Sequence, residues 1–263
     1  MNFRTIVDIP ASDWKIEPLE RMMFVGSCFA DNMGKRFDAE LFRTVVNPHG
    51  VMYNPASVLH SVERCLEGFC PSVAVLTYGT NHVYRLKSTG EIVDNCRKQP
   101  QSLFQEEELS VEACADYMMR TVELLRRSNP DVHVVLTVSP IRYSKYGYHG
   151  SQLSKSTLLL AVDRVVNSTG VSYFPSYEVV NDELRDYRFY SPDMLHPSEQ
   201  AVDYIFERFA DVYFSSPTKV FLSEWHPIRQ ALNHRPFNPD AAEYKQFLER
   251  ALEQKAALLA KYE

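Results

Sequence analysis

Residues 21–214 alternate between short apolar runs and amphipathic stretches, and this alternation constrains the fold more than any other feature of the chain. Runs rich in β-branched residues predict strands, and segments whose apolar residues recur with the helical period predict helices. The predicted strands are residues 21–25, 42–46, 72–78, 132–138 and 171–174, and the predicted helices are residues 29–37, 55–68, 110–129, 153–167 and 197–214. Because strands that alternate with helices form parallel sheets with right-handed crossovers, we expect a three-layer α/β/α fold with a five-stranded sheet.

One segment interrupts this alternation. Residues 82–95 alternate in polarity around the turn sequence Ser88-Thr89-Gly90, which predicts a hairpin inserted after the third strand. The acidic stretch at residues 105–109 predicts a solvated approach to the next helix. We therefore expect a small insertion between the third strand and the third helix of the α/β unit.

The alternation ends after residue 215, and the remaining apolar residues predict a long amphipathic helix. They are Tyr244, Phe247, Leu248, Leu252, Leu258 and Leu259. We divide the chain into an α/β domain at residues 1–215 and a C-terminal helical extension at residues 216–263, packed on or beside that domain.

Charge and cysteine usage exclude several classes of partner. The formal net charge is -6 and the basic residues form no long cluster, which argues against nucleic-acid binding. No stretch approaches the roughly 20 apolar residues of a membrane span, and the first residues have no unbroken apolar segment of a signal peptide. Five cysteines without a Cys-x-x-Cys pair favour neither a disulfide framework nor a zinc site. We expect a cytoplasmic protein with no membrane partner, no cofactor and no catalytic metal.

The turn after the first predicted strand contains two candidate nucleophiles. In "FVGSCFA" at residues 24–30, Gly26 permits a sharp turn, and Ser27 and Cys28 follow it at the start of a predicted helix. Free N–H groups at a helix N-terminus stabilise an anion, so a developing oxyanion would be favoured there. The structural alternative is that Ser27 serves only as the N-cap. The turn by itself leaves the choice among Ser27, Cys28 and no nucleophile open.

A candidate acid–base pair precedes the last helix of the α/β unit. Asp193 and His196 are three residues apart, so the carboxylate can reach the imidazole within one turn. Pro197 keeps His196 on the loop, because the residue before a proline avoids helical torsions. A carboxylate on one ring nitrogen leaves the other free to act as a general base. The alternative is that Asp193 caps the turn and His196 is a surface residue.

Three further residues are candidates for binding the reacting group or the substrate. The Gly50 N–H and the Asn81 side-chain amide each follow a predicted strand, where they could donate to an oxyanion. Each stretch also has the composition of an ordinary turn. Arg142 follows the fourth strand and could bind an anionic substrate, with surface solvation as the alternative.

The stretch "GSCFA" at residues 26–30 resembles the signature of the GSCFA family and, through it, the wider SGNH (GDSL-like) hydrolase superfamily. The blocks "NPHGVMYNP", "GTNHVYRLKSTGEIVDNCRK", "TVSPIR" and "YRFYSPDMLHPS" resemble further family blocks, so the resemblance covers residues 25–214. It implies a flavodoxin-like α/β/α fold of the SGNH-hydrolase type and the hydrolysis or transfer of an acyl group.

The resemblance also implies roles for particular residues. Asp193 and His196 match the final Asp-x-x-His of the superfamily. Gly50 and Asn81 match its glycine and asparagine oxyanion donors, with Asn54 as a second candidate for the amide.

Two positions depart from the superfamily pattern. His82 stands where an aspartate usually follows the asparagine, which weakens the assignment of Asn81. Superfamily members also have Gly-Asp-Ser where this chain has Gly-Ser-Cys. By register the nucleophile is Cys28, and by residue type it is Ser27. We favour Cys28, because a thiol beside a helix N-terminus and a histidine is activated as in cysteine–histidine enzymes.

Three functions fit these residues. The first is an acyl hydrolase, such as an esterase that acts on small-molecule or carbohydrate O-acyl esters. The second is an acyltransferase that uses a saccharide hydroxyl as acceptor. The third is a saccharide-binding module that has lost catalysis, with the tyrosines of "YRFY" at residues 187–190 stacking on sugars.

Overall fold

The computed structural model describes residues 1, 3–96, 98–238 and 240–262. Its strands are β1 (Arg21–Gly26), β2 (Arg43–Val46), β3 (Val73–Tyr78), β4 (His82–Leu86), β5 (Ile92–Val93), β6 (Phe104–Glu108), β7 (His133–Val138) and β8 (Ser172–Tyr173). The larger sheet has the order β2-β1-β3-β7-β8, and every neighbouring pair in it is parallel. This is the flavodoxin-like order, in which the strand order reverses at β1 and opens a crevice at the carboxyl ends of the strands.

The helices connect the strands in the predicted sequence. They are α1 (Cys28–Ala39), α2 (Pro55–Leu66), α3 (Val111–Ser128), α4 (Gly147–Thr169), the single turn α5 (Ser176–Glu178), α6 (Glu199–Tyr213), α7 (Ser216–Asn233) and α8 (Ala242–Tyr262). Helix α4 begins before residue 153, where the sequence predicted its start. The parallel five-stranded sheet and its helices confirm the predicted α/β/α fold.

The helices cover both faces of the sheet, and the side chains of β1 show how the core is divided. Met22 and Phe24 point to one face, where they pack with apolar residues of α1, α6 and α7. Met23 and Val25 point to the other face and pack with α2, α3 and α4. Successive residues of a strand alternate between faces, so a strand covered on both sides must be apolar throughout. This explains why "RMMFV" contains no alternation.

The insertion after β3 forms a second, smaller sheet. Its strands have the order β5-β4-β6 and are antiparallel. The hairpin of β4 and β5 confirms the prediction for residues 82–95. The expectation for residues 105–109 is wrong in part, because Phe104–Glu108 is strand β6, paired with β4. The carboxylates in it stand on a half-exposed edge strand, where charge is tolerated as well as on a helix approach.

The C-terminal region contains two helices where the sequence predicted one. Helix α8 includes the predicted apolar residues, and α7 precedes it with Pro217 in its first turn and Pro227 in its interior. The ring centres of Tyr262 in α8 and Phe221 in α7 lie 5.0 Å apart. None of the helices in the described part of the chain is long and apolar enough to span a membrane.

Candidate active site

The turn between β1 and α1 is held in place by the strands on both sides of it. Gly26 has φ of +141°, and a Cβ atom there would lie 2.0 Å from the carbonyl oxygen of Thr77 on β3. Its N–H donates to Oδ1 of Asn47, which follows β2, at 2.8 Å. The turn therefore lies at the point where the strand order reverses, and only glycine fits its first position.

Ser27 and Cys28 have different environments in this turn. Ser27 is 1% exposed and is the N-cap of α1, since its Oγ accepts from the N–H of Phe29 at 3.2 Å. The same Oγ lies 3.0 Å from Oγ1 of Thr77. Cys28 is the first residue of α1 and is half-buried, with Sγ 3.5 Å from the hydroxyl of Tyr53. The structure thus shows Ser27 as the N-cap of α1. Of the two side chains, that of Cys28 is the more accessible.

Tyr53 is the neighbour of Cys28 that sequence reasoning missed. Its carbonyl oxygen accepts hydrogen bonds from the N–H groups of Gly79 at 2.8 Å and Thr80 at 2.9 Å, which fixes its backbone against the end of β3. Partial burial, followed by the hydrogen bond with Cys28, raises the pKa of the Tyr53 phenol. The hydroxyl therefore stays protonated at neutral pH and can donate. The sequence signal for Tyr53 was its position inside the block "NPHGVMYNP", which also contains the predicted donors Gly50 and Asn54.

Asp193 and His196 form the predicted pair. Nδ1 of His196 lies 2.6 Å from Oδ2 of Asp193, and Oδ1 of Asp193 accepts from the N–H groups of Leu195 and His196 at 2.9 and 3.0 Å. These backbone and side-chain hydrogen bonds lower the pKa of Asp193 to about 2. The carboxylate is thus charged at any working pH, fixes the proton on Nδ1 and leaves Nε2 free.

The two halves of the site are connected through the loop after β7. Arg142 donates its N–H to the carbonyl of Leu195 at 3.0 Å, which ties this loop to the Asp193–His196 turn. The ring of the next residue, Tyr143, lies 6.1 Å from that of Tyr53, which in turn contacts Cys28. Within the described residues there is no direct hydrogen bond between Cys28 and His196.

The predicted oxyanion donors are engaged elsewhere. The N–H of Gly50 donates to the carbonyl of Asn47 at 2.9 Å in an exposed turn. The amide of Asn81 donates to the carbonyl of Leu109 at 2.9 Å and is buried. Asn54 caps α2, where its Oδ1 accepts from Ser57 N–H at 2.9 Å. The donors of Gly50 and Asn81 are thus used in other hydrogen bonds, the bond of Asn54 uses its oxygen and not its N–H groups, and the roles of all three residues in catalysis stay predictions.

Lys155 is a second residue that the sequence analysis missed. It is 2% exposed, and its Nζ donates to the carbonyl oxygens of Gly79 and Ser139, both at 2.7 Å. Burial lowers its pKa to about 7. The ammonium group joins the carboxyl ends of β3 and β7 at the floor of the site.

A second histidine–carboxylate pair lies away from these residues. Nδ1 of His60 in α2 is 2.9 Å from Oδ1 of Asp94, whose Oδ2 accepts from Arg64 at 2.8 Å. The pair lines a separate cavity between α2 and the inserted hairpin. Across the residues that the structure describes, no cluster of three His, Cys, Asp or Glu side chains could hold a metal ion.

The parallel sheet of order β2-β1-β3-β7-β8, covered by helices on both faces, defines an α/β/α fold with a flavodoxin-like strand order. The sequence profile of the GSCFA family matches residues 21–72 and 70–209, so the chain belongs to the GSCFA family. A second profile, described as GSCFA domain protein, C-terminal domain, matches residues 225–263. A search of curated protein sequences returned no match.

Solved structures similar to this chain share its fold at low sequence identity. A protein classed as a GDSL-like lipase from Parabacteroides merdae is 13% identical with a TM-score of 0.50, over 77% of this chain and 100% of that one. A member of the lipolytic protein G-D-S-L family from Veillonella parvula is 10% identical with a TM-score of 0.49, over 73% and 97%. The family 3 carbohydrate esterase of Clostridium thermocellum is 12% identical with a TM-score of 0.45, over 78% and 97%. At 13% identity the likeness to the Parabacteroides merdae protein concerns the fold alone.

Proposed function

We propose that the protein is an acyl hydrolase in which the thiol of Cys28 attacks an ester carbonyl. The observation that carries this proposal is the contrast between Cys28 and Ser27. The Ser27 hydroxyl is buried and hydrogen-bonded on two sides, whereas Sγ of Cys28 is accessible beside the Tyr53 hydroxyl. Cys28 is also the first residue of α1, where the positive end of the helix dipole would stabilise the negative charge that develops when the thiol attacks.

In the first half of the proposed reaction, Nε2 of His196 takes the thiol proton while Sγ bonds to the carbonyl carbon. Asp193 holds the Nδ1 proton through the 2.6 Å hydrogen bond and stabilises the imidazolium. The Tyr53 hydroxyl donates to the oxyanion. The bond to the leaving oxygen then breaks, the leaving alkoxide takes the proton from His196, and a thioester remains on Cys28.

In the second half, a water molecule gives a proton to His196 and attacks the thioester carbon. The carbon–sulfur bond breaks and the proton returns to sulfur, which releases the carboxylic acid. If a saccharide hydroxyl replaces the water, the same steps transfer the acyl group instead. The reaction requires a Cys28–His196 contact, which substrate-free enzymes often form only when substrate binds.

A binding module without catalysis is the second candidate. The observation in its favour is that Cys28 and His196 are not hydrogen-bonded to each other in this conformation. Saccharide binding without any acylation of residue 27 or 28 would support it.

The test is brief exposure to p-nitrophenyl acetate, followed by intact mass and peptide mapping. We expect one acetyl group on Cys28 in the wild type and in Ser27→Ala, and none in Cys28→Ala or His196→Ala. Cys70 is an exposed free thiol elsewhere in the chain, so labelling there measures non-specific reactivity. An adduct on Ser27 would make the protein a serine esterase. No adduct on either residue of folded protein would favour the binding module.

A further inference from the structure

A cavity of about 280 Å³ lies beside the Asp193–His196 turn, at the carboxyl edge of the sheet. Its lining includes two guanidinium groups, two side-chain amides and two phenol rings. They belong to Arg142, Arg185, Gln152, Asn181, Tyr187 and Tyr190. The cavity is separate from the residues to which the reaction steps above are assigned.

Arg142 presents its guanidinium group at this cavity between two aromatic rings. Its Cζ lies 4.2 Å from the ring centre of Tyr148 and 5.5 Å from that of Tyr190. One Nη donates to the carbonyl of Met194 at 3.0 Å. Within the described residues no carboxylate forms a salt bridge with Arg142. A stacked, half-buried guanidinium with unused N–H groups matches the planar carboxylate, which it binds through two parallel hydrogen bonds.

The described lining of the cavity contains two arginines and one aspartate, an excess of one positive charge. Arg185 donates through Nε to the carbonyl of Asn181 at 3.0 Å, and its nearest carboxylate, Asp182, is 3.8 Å away. The single carboxylate in the lining, Asp186, accepts from the backbone N–H of Arg188 at 2.9 Å. In a chain of net charge -6, a local excess of positive charge favours an anionic ligand over a neutral one.

The uncharged lining fits a ring that carries hydroxyl groups. Tyr187 is 69% exposed and lies 6.3 Å from Tyr190, so one ring face is open for stacking. Gln152 also lines the cavity, and because its Oε1 accepts from the Tyr177 hydroxyl, its amide N–H groups are the donors that it can offer to a ligand. Aromatic faces with nearby amide donors are the usual partners of sugar rings and their hydroxyls.

Residues of the cavity wall are bonded directly to the candidate catalytic turn. The backbone of Arg142 is bonded to Leu195, and Tyr190 forms a bridge with Pro197, so both walls contact the turn that carries His196. We infer that this cavity is a subsite for the non-reacting part of the substrate, and that this part is a sugar-like ring bearing a carboxylate. The link to ester chemistry rests on the proposed function, whereas binding of the acidic ring does not.

The test is calorimetric titration of the Cys28→Ala variant, in which no acylation of that residue can occur. Its ligands are D-glucuronate, D-glucose and cyclohexanecarboxylate. We expect glucuronate to bind at least about tenfold more tightly than glucose, because only its carboxylate can accept charge-assisted hydrogen bonds from the arginines. Cyclohexanecarboxylate has the ring and the charge without the hydroxyls. If it binds as tightly as glucuronate, the sugar-like part of the inference is wrong.

Substitutions within this background locate the binding site. Arg142→Lys keeps the charge but loses the planar fork, so we expect glucuronate binding to weaken at least about tenfold. Because Arg142 also contacts the catalytic turn, Arg185→Gln and Tyr187→Ala provide tests that leave the turn untouched, and each should weaken binding severalfold. Arg127 on α3 is the matched control, because it is as exposed as Arg185, pairs with a carboxylate on its own helix and lies outside the lining of this cavity. Arg127→Gln should change binding less than about twofold, and equal effects of Arg185→Gln and Arg127→Gln would overturn the assignment.

Failure of the subsite and failure of the proposed function give different results. Glucuronate binding that depends on Arg185, without acetylation of Cys28, would leave the subsite standing and remove the esterase. Acetylation of Cys28, without glucuronate binding or a preference for acidic esters, would support the esterase and remove the subsite.

Discussion

Two adjacent side chains in the β1–α1 turn differ in exposure because one precedes the helix and the other begins it. The N-cap position directs the Ser27 hydroxyl back to the N–H of Phe29, where it is buried against Thr77. The next position projects Cys28 outwards, towards Tyr53. Position relative to the helix therefore decides which of the two side chains is accessible, and this supports the proposal of Cys28 over Ser27 as the nucleophile.

The Tyr53 hydroxyl provides a prediction at the scale of one residue. Tyr53→Phe removes the O–H next to Cys28 but keeps the ring and the backbone carbonyl that holds Gly79 and Thr80. We expect the rate of Cys28 acylation by p-nitrophenyl acetate to fall by about 10²-fold, the effect typical of losing one oxyanion donor. Tyr143→Phe is the matched control, because it removes a neighbouring phenol that does not contact Cys28. A comparable loss in both variants would contradict the role given to Tyr53.

A second residue-scale prediction concerns Gly26. A methyl group there would overlap the carbonyl of Thr77 and would also sit on a residue with φ of +141°. We expect Gly26→Ala to lower the free energy of unfolding by more than about 3 kcal/mol, above the common range for one substitution. Gly170 also has positive φ, but no atom lies within 4 Å of its Cβ position. Gly170→Ala should therefore cost only about 1–2 kcal/mol in urea unfolding, and equal losses would argue against the close approach.

At the scale of elements, the floor of the site depends on Lys155 joining the ends of β3 and β7. Burial lowers the pKa of Lys155 to about 7, from the 10.5 that is usual for a lysine. Between these two pKa values the unfolded chain binds the proton and the folded chain does not. The free-energy cost of burying this group therefore falls, and the free energy of unfolding rises, as the pH rises. Below about pH 7 the buried amine of Lys155 is charged in the folded chain as well, so the full cost of burying that charge lowers the free energy of unfolding.

Lys155→Met should remove this pH dependence. Measured by urea unfolding, the stability of the wild type relative to the variant should rise between about pH 7 and pH 10, by at most about 1.4 kcal/mol per pH unit. Lys219 is half-exposed on α7, so Lys219→Met serves as the control and should show no such slope. Parallel stability curves for the wild type and Lys155→Met would mean that Lys155 does not titrate in this range.

Elements whose apolar residues follow a clear helix or strand pattern were predicted well from the sequence. Elements that exist only because of tertiary contacts were predicted poorly. The five strands of the main sheet were found because β-branched runs end at turn residues. Strand β6 was missed because its carboxylates carry no apolar alternation and only pairing with β4 defines it. The engagement of Gly50 and Asn81 could not be predicted, because their acceptors, Asn47 and Leu109, are set by turn geometry and by that pairing. Lys155 had a readable signal, since it lies in one helical stripe with Leu158, Val162 and Val165.

At the scale of the whole molecule, α7 joins the C-terminal region to the α/β layers far from the candidate active site. The indole N–H of Trp225 donates to the carbonyl of Ala39, at the C-terminal end of α1, at 3.0 Å. Glu40 is buried there and accepts from Arg229 and from His226, the latter at 3.2 Å. A buried carboxylate requires such partners, so α7 completes the end of α1.

Trp225 therefore provides a test of whether residues 216–263 fold together with residues 1–215. Trp225 is 3% exposed and belongs to the same apolar core as α1 and α6. We expect Trp225→Ala to lower the free energy of unfolding by about 3–5 kcal/mol, the usual cost of truncating a buried aromatic residue. Unfolding should remain a single transition, and the acylation rate of Cys28 in the folded protein should stay within about twofold, because Cys28 lies at the opposite end of α1. Val220→Ala, on the exposed side of α7, should change stability by no more than about 0.5 kcal/mol. A separate early transition in Trp225→Ala, with the rest of the curve unchanged, would mean instead that the two helices form an independent unit resting on a complete α/β domain.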